Sequence, residues 1–251
     1  LAVTVGEPGA RRLVVVELGP DWTTAHAVDA GVEDVDHPAW LGDALLMYDG
    51  LDDDGVRRPA YVVPGLVGRL ALAADAVPGA LALRDAHAGT ALFGSADGLY
   101  GWSLGERAPR RVAEDPGAAV VIGAAGVQAR ADGVHRIGGA RIAEGPVEAL
   151  RRAGDGAAWR GPTSWWRVDG AGAVAAVPTS ASLRAVGFAG EVGFGADARR
   201  VGRIGDPTWA AVPGDVVDLA VAARDGGWVA AWTASVDVDL PTALGLVRIH
   251  P

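Results

Sequence analysis

A proline recurs along this chain at Pro38, Pro78, Pro116, Pro146, Pro178, Pro213 and Pro251, at spacings of 40, 38, 30, 32, 35 and 38 residues. Running from Pro251 through Leu1 to Pro38 adds a further 38, so seven intervals of about 36 residues account for all 251. Between the prolines, short apolar runs alternate with clusters of Gly, Asp and Pro, the pattern of short strands separated by turns. The third interval reads PGALALRD, GTALFGSADG, LYGWSLG and APRRVAED; the fourth reads PGAAVVIG, GVQARADG, VHRIGG and ARIAE. The sixth and seventh follow the same order. A β-sandwich has no reason to repeat one four-strand unit seven times, and a parallel β-helix prefers shorter repeats.

Four antiparallel strands per unit, repeated seven times, predict an all-β fold: a seven-bladed β-propeller of four-stranded antiparallel blades. The intervals use up residues 1–251, so a single domain is expected. Asp97-Gly98 and Asp132-Gly133 fall at the same place in their units and suit two-residue type I′ turns, where glycine accepts positive φ. Residues 145–154 (GPVEALRRAG) carry helix signals, with Pro early, Arg late and Gly at the end. In the repeat frame the same residues open the fifth unit, and the frame outweighs local propensity, so a strand is predicted there.

The stretch TALFGSADGLYGW, Thr90 to Trp102, is similar to the blades of sialidase-type and Ycf48-like propellers. The stretch HPAWLGDALLMYDG, His37 to Gly50, resembles the blades of TolB-like propellers. What these resemblances imply is the blade architecture; the fold hosts many activities and assigns none.

Composition excludes several classes of function. The 22 basic residues are all Arg, and against 31 acidic residues they leave a net charge of −9. A chain of that sign lacks the broad basic footprint of a nucleic-acid partner. There is no Cys, hence no disulfide framework and no thiolate metal site, and no Asn, hence no N-glycosylation sequon. Gly, Pro or charge interrupts every apolar run before it could span a bilayer. A soluble chain is the expectation, with no signal-peptide pattern in this stretch and the compartment open. Residues with AT-rich codons (Lys, Asn, Ile, Phe, Tyr) are scarce or absent, which points to a high-GC bacterial genome.

Candidate motifs were weighed against their surroundings. Gly101-Trp102-Ser103-Leu104-Gly105 fits a nucleophile elbow, but GERAPRRVAEDP follows where an apolar helix is required. Gly170-Ala171-Gly172-Ala173-Val174-Ala175 fits a loose dinucleotide fingerprint, but Pro178 removes the helix that would face a pyrophosphate, leaving a Gly-rich hairpin. Asp49, Asp52, Asp53 and Asp54 precede Gly55 but lack the first and last ligands of a calcium loop and read as a solvated acidic hairpin tip. His26, His37, His87, His135 and His250 show no metal-ligand spacing. The nine Trp are scattered over all strand positions, so they read as packing between units, except that one of Trp165 and Trp166 should be exposed. No cofactor and no metal is expected.

The position six residues past each proline reads Gly6, Ala44, Arg84, Ile122, Arg152, Arg184 and Leu219. It belongs to the strand predicted to line the central channel. Arg84, Arg152 and Arg184 are therefore the candidate ligand-binding residues, since Arg holds carboxylates and phosphates by charge-assisted hydrogen bonds. Asp85, Asp155 and Asp225 could instead neutralise them. The expected function is a non-catalytic binding or scaffold module presenting loops and a channel mouth to a protein or a small anionic ligand. The alternatives are a propeller hydrolase or lyase with its site at the channel mouth and, third, a carbohydrate-binding propeller.

Overall fold

A computed structural model describes residues 2–5, 9–18, 23–42, 44–63, 66–69, 80–123, 125–178, 183–224, 226–235 and 243–249. By chain contacts they form two compact units, residues 1–130 with 135–141, and residues 131–134 with 142–251. Among the described residues every regular element is a strand, and no helix is long and apolar enough to cross a membrane.

The first unit begins with a sheet of β1 (Ala2–Val5), β2 (Arg12–Leu18) and β3 (Thr23–Val28). A second sheet contains β4 (Glu33–Trp40), β5 (Leu46–Leu51), β6 (Arg57–Val63) and β7 (Leu66–Arg69). A third contains β8 (Ala82–His87), β9 (Thr90–Ser95), β10 (Gly98–Ser103) and β11 (Arg110–Ala113). The fourth sheet, β12 (Ala119–Ile122), β13 (Ala125–Arg130), β14 (Gly133–Arg136) and β15 (Arg141–Glu144), carries the boundary between the units. The second unit continues with β16 (Ala149–Ala153), β17 (Gly156–Arg160), β18 (Trp165–Val168) and β19 (Val174–Ala176). A further sheet contains β20 (Ala185–Ala189), β21 (Val192–Ala196), β22 (Arg200–Arg203) and β23 (Ala210–Ala211). The last contains β24 (Asp215–Arg224), β25 (Gly227–Ser235) and β26 (Ala243–Ile249). Strands pair in chain order and run antiparallel, as β9 with β10, β17 with β18, β24 with β25 and β5 with β6 do.

The third to sixth sheets grade from buried to exposed. In the third sheet β9 and β10 are buried almost throughout, whereas Arg110 and Arg111 of β11 are exposed. The cores lie between successive sheets, as they must when one sheet is too small to enclose a core. Leu13, Val35, Leu46 and Tyr48 pack between the first and second sheets; Met47, Leu83, Phe93 and Trp102 between the second and third. In the second unit, Phe194, Val216, Leu219 and Trp232 do the same. Burying a ring such as Phe93 completely contributes about 1.5–3 kcal/mol.

The predicted strand at 145–154 is present as β16, and Pro116, Pro146, Pro178 and Pro213 each precede the first strand of a sheet. Three expectations are corrected. The propeller has six blades, not the seven expected; among the described residues five sheets are four-stranded and the first and last have three strands each. In the last interval β24 has 10 residues and β25 has 9, and residues 236–242 lie outside the described residues. Pro38 stands inside β4 rather than ahead of it. Gly98 pairs with Ser95 and so belongs to β10, leaving Ala96-Asp97 as the turn. The turn with positive φ at both central residues, as type I′ requires, is Ala88-Gly89, at 47° and 81°.

Close approach explains why glycine stands at Gly98 and Gly133. A Cβ on Gly133 would lie 1.9 Å from the Ala143 carbonyl oxygen of the adjacent strand, and one on Gly98 would lie 2.4 Å from that of Ala113. Gly133→Ala should therefore cost about 2–3 kcal/mol in a urea unfolding curve. Gly138→Ala, at φ 68° with nothing within 4 Å, should cost only about 1 kcal/mol. Equal losses would mean that backbone conformation, not the neighbouring strand, demands the glycine.

Candidate functional site

The densest polar constellation lies in the first unit around β4. Its pairing with β5 shifts register between Glu33 and Asp36 and again between Asp36 and Ala39. At these bulges Asp34 and His37 adopt φ of 44° and 50°, a left-handed conformation that non-glycine residues hold only when their surroundings impose it. Asp34 is buried, at 7 % exposure. One of its oxygens accepts from the Gly9 backbone N–H at 2.9 Å and from Arg11 Nε at 2.8 Å. The other accepts from Arg11 Nη2 at 3.0 Å and Arg57 Nη2 at 2.7 Å. Arg11 also donates to Asp36.

Asp49, at the centre of β5, is completely buried. It accepts from Arg57 Nη1 at 2.5 Å and from the Leu83 backbone N–H at 2.6 Å, and the His37 ring Nδ1 lies 2.9 Å away. The Arg11 guanidinium holds the Asp34 carboxyl well below the usual carboxylate range, against the opposing effect of burial. Asp34 in turn raises Arg11, and Asp49 and Asp34 raise Arg57 despite its burial. Carboxylates donated to in this way have few lone pairs to spare for a substrate. The network ties Arg11 to the second sheet and the second sheet to Leu83 of the third. Asp85 repeats the last device, accepting from the Val121 backbone N–H of the fourth sheet at 2.9 Å.

Arg84 sits in β8 at a register shift between Leu83 and Asp85. Its guanidinium lies against Gly94, where a Cβ would be 2.5 Å from Nε. The Nε is buried and without a hydrogen-bond partner. Asp85, the expected neutraliser, is turned to Val121 instead. Arg152 stands in β16 opposite Ala157, half-buried. Arg184 precedes β20 and pairs with Asp215 at 3.3 Å, both about half exposed. Thus Arg84 belongs to the first unit and the other two to the second. The rest of the column scatters: Ile122 ends β12, Leu219 lies inside β24, Ala44 is in a loop, and Gly6 and Asp225 are outside the described residues.

The remaining motifs resolve locally. Ser103 ends β10, and its N–H bonds to Glu106 in a turn with no helix behind it. Residues 169–173 form the hairpin between β18 and β19, closed by Asp169. Asp52 stabilises the β5–β6 turn by accepting from the N–H groups of Asp54 and Val56, but Asp49 is core rather than hairpin tip. Trp165 is buried and Trp166 is 39 % exposed, as alternation demands. Trp22 and His250 lie outside the described residues.

No family model and no curated protein matches the chain. Among solved structures it is similar to PorZ, described as an essential bacterial surface component of the type-IX secretion system of Porphyromonas gingivalis. That likeness has a TM-score of 0.58 at 12% identity, over 99% of this chain and 37% of that one. It is also similar to a mutant of puromycin hydrolase complexed with PGG, at TM-score 0.54 and 12% identity, over 98% of this chain and 50% of that one. The fold is that of a β-propeller. At such identity the likeness extends to the propeller alone, and the chain spans half or less of these neighbours' length.

Asp34→Asn removes the ionised partner of two guanidiniums and should cost about 3 kcal/mol in chemical unfolding. A carboxylate held below its ordinary value stabilises the fold fully above about pH 4, and that contribution is lost as pH falls through the native value. Unfolding midpoints between pH 7 and pH 3 should therefore drop at the acid end, and drop less steeply in Asp34→Asn.

Proposed function

We propose that this chain is a non-catalytic binding or scaffold propeller that takes a small anionic ligand or an acidic group of a protein partner. The observation that carries the reading is Arg84, whose buried Nε has no partner among the described residues while the acid next to it in the chain, Asp85, accepts from the Val121 N–H. A cation held partly out of water without a counter-charge is costly, and a bound carboxylate or phosphate offsets that cost through charge-assisted hydrogen bonds. The glycine at position 94 supports the reading because it leaves room for the guanidinium to lie along β9. Arg84 serves the first unit; Arg152 and Arg184 are the corresponding contacts of the second. The two units together make one domain, residues 1–251.

The network of Asp34, Asp36, Asp49, Arg11 and Arg57 supports the non-catalytic side of the reading, since its carboxylates are satisfied by structural donors. A hydrolytic role is the second reading, and the likeness to puromycin hydrolase is what favours it. It predicts turnover of amide or ester substrates by the isolated chain.

Thermal unfolding against a panel of phosphate, sulfate, citrate, acetate and neutral sugars tests the first reading. At least one anion should raise the midpoint, since a ligand at a hundredfold excess over its Kd stabilises by about 2.7 kcal/mol. Arg84→Ala should abolish that shift and leave the unliganded midpoint unchanged or higher. A panel without any shift, or a shift equal in Arg84→Ala, overturns the proposal.

A further inference from the structure

Gly94 in β9 differs from Gly98 and Gly133 in what crowds it. A Cβ at position 94 would lie 2.5 Å from Arg84 Nε, 2.6 Å from Nη2 and 2.8 Å from Cζ, its three nearest atoms. At Gly98 and Gly133 the nearest atom is a backbone carbonyl oxygen of the adjacent strand, which the ladder holds in place. Gly94 has no positive φ, so its own backbone does not call for glycine. What crowds the position is the movable end of one side chain.

Nε and Nη2, the two nitrogens nearest that position, form an edge of the guanidinium fork that grips a carboxylate or phosphate through two parallel hydrogen bonds. Here that edge is turned onto Gly94, and Nε is buried against it. An anion arriving from solvent therefore cannot reach Nε while the side chain lies there. Arg84 as a whole is only half-buried, and it is the unmatched residue at the register shift between Leu83 and Asp85. A bulge of this kind commonly re-aims a side chain. Arg167 has a buried, unpartnered Nε as well, but Glu191 holds its Nη2 at 2.7 Å and its Cζ lies 5.3 Å from the centre of the Phe188 ring. Arg167 is tied on two sides, whereas the acid beside Arg84 is turned to Val121.

We propose that Gly94 sets the anion affinity of this chain: the Arg84 guanidinium rests with its gripping edge against Gly94 and swings away from β9 to take a carboxylate or phosphate. The inference rests on the reading of Arg84 as the anion contact, and adds to it a closed arrangement and the residue that permits it. A site that is open only part of the time binds more weakly in proportion to the open fraction. A guanidinium seated against Gly94 about nine-tenths of the time weakens the apparent Kd about tenfold. Gly94→Ala fills the seat without straining the backbone and leaves the guanidinium only the open arrangement. The added methyl group makes no contact with the anion, and binding tightens nonetheless.

Calorimetric titration of the full chain with inorganic phosphate and, separately, with citrate tests this, the two arms telling a phosphate site from a carboxylate site. For the anion that binds the wild-type chain, Gly94→Ala should tighten Kd by about tenfold, and in an Arg84→Ala background it should change nothing. A second measurement needs no anion: modification of arginine by phenylglyoxal, read at each residue by mass spectrometry. Wild-type Arg84 should react about tenfold more slowly than Arg199, which is 79 % exposed, and Gly94→Ala should bring the two rates together. Wild-type Arg84 reacting as fast as Arg199 overturns the proposal even if Gly94→Ala fails to fold. Binding that is lost in Arg84→Ala but unchanged in Gly94→Ala overturns the seat and leaves Arg84 as the anion contact. Binding of neither anion by either chain, or equal binding in Arg84→Ala, overturns both.

Discussion

The buried carboxylate of Asp49 is the interaction on which the first unit depends most. It stands in the middle of a core strand and satisfies Arg57 from its own sheet, His37 from the bulged strand beside it, and the Leu83 N–H of the next sheet. Strand ladders hold each sheet together internally but contribute nothing between sheets. Apolar packing between sheets is strong but does not specify how far one slides along the other. A directional bond from a buried acid to a backbone N–H does. Asp85 applies the same bond one sheet later, to Val121, so two successive junctions are pinned alike.

Holding a buried acid in such a place requires full compensation, since breaking a buried pair costs more than omitting it. The compensation explains the irregularity of β4. Its two bulges and the left-handed conformations of Asp34 and His37 bring Asp34 within reach of both Arg11 and Arg57, linking a residue ahead of β2 to one in β6. Backbone strain at β4 is thus exchanged for a closed network of carboxylates and guanidiniums.

Much of the fold was legible because its signals are local. Strand runs, turn residues and proline punctuation report backbone conformation directly, and β9 and β11 fall within the runs GTALFGSADG and APRRVAED. The helix-like stretch at 145–154 became a strand because neighbouring strands supply hydrogen bonds that an isolated segment lacks. The misreadings come from non-local facts. Pro38 resembles the other prolines, but the bulges that let β4 run through it answer to Asp49 and Arg57 elsewhere. Asp49 was grouped with Asp52 to Asp54 by proximity in sequence. Its one distinguishing signal was its setting in LLMYDGL, an acid inside an apolar run, where a solvated loop residue has no reason to be. The arginine column was readable as spacing, but spacing could not tell that Asp85 turns away from Arg84 and that Asp215 meets Arg184.

That difference between arginines follows from the chemistry of the side chain. Arg57 uses separate nitrogens to hold Asp49 and Asp34 at once, and Arg11 does the same with Asp34 and Asp36. A lysine ammonium is a single point and could not span two carboxylates with the same directional pairing, so the exclusive use of arginine suits this interior. Arg84 has the same fork and the same unit around it, but no carboxylate turned toward it. The fold satisfies its structural arginines from more than one side. Asp85, the neighbour of Arg84, clamps Val121 instead, and Arg84 Nε is buried without a hydrogen-bond partner, as is Arg167 Nε.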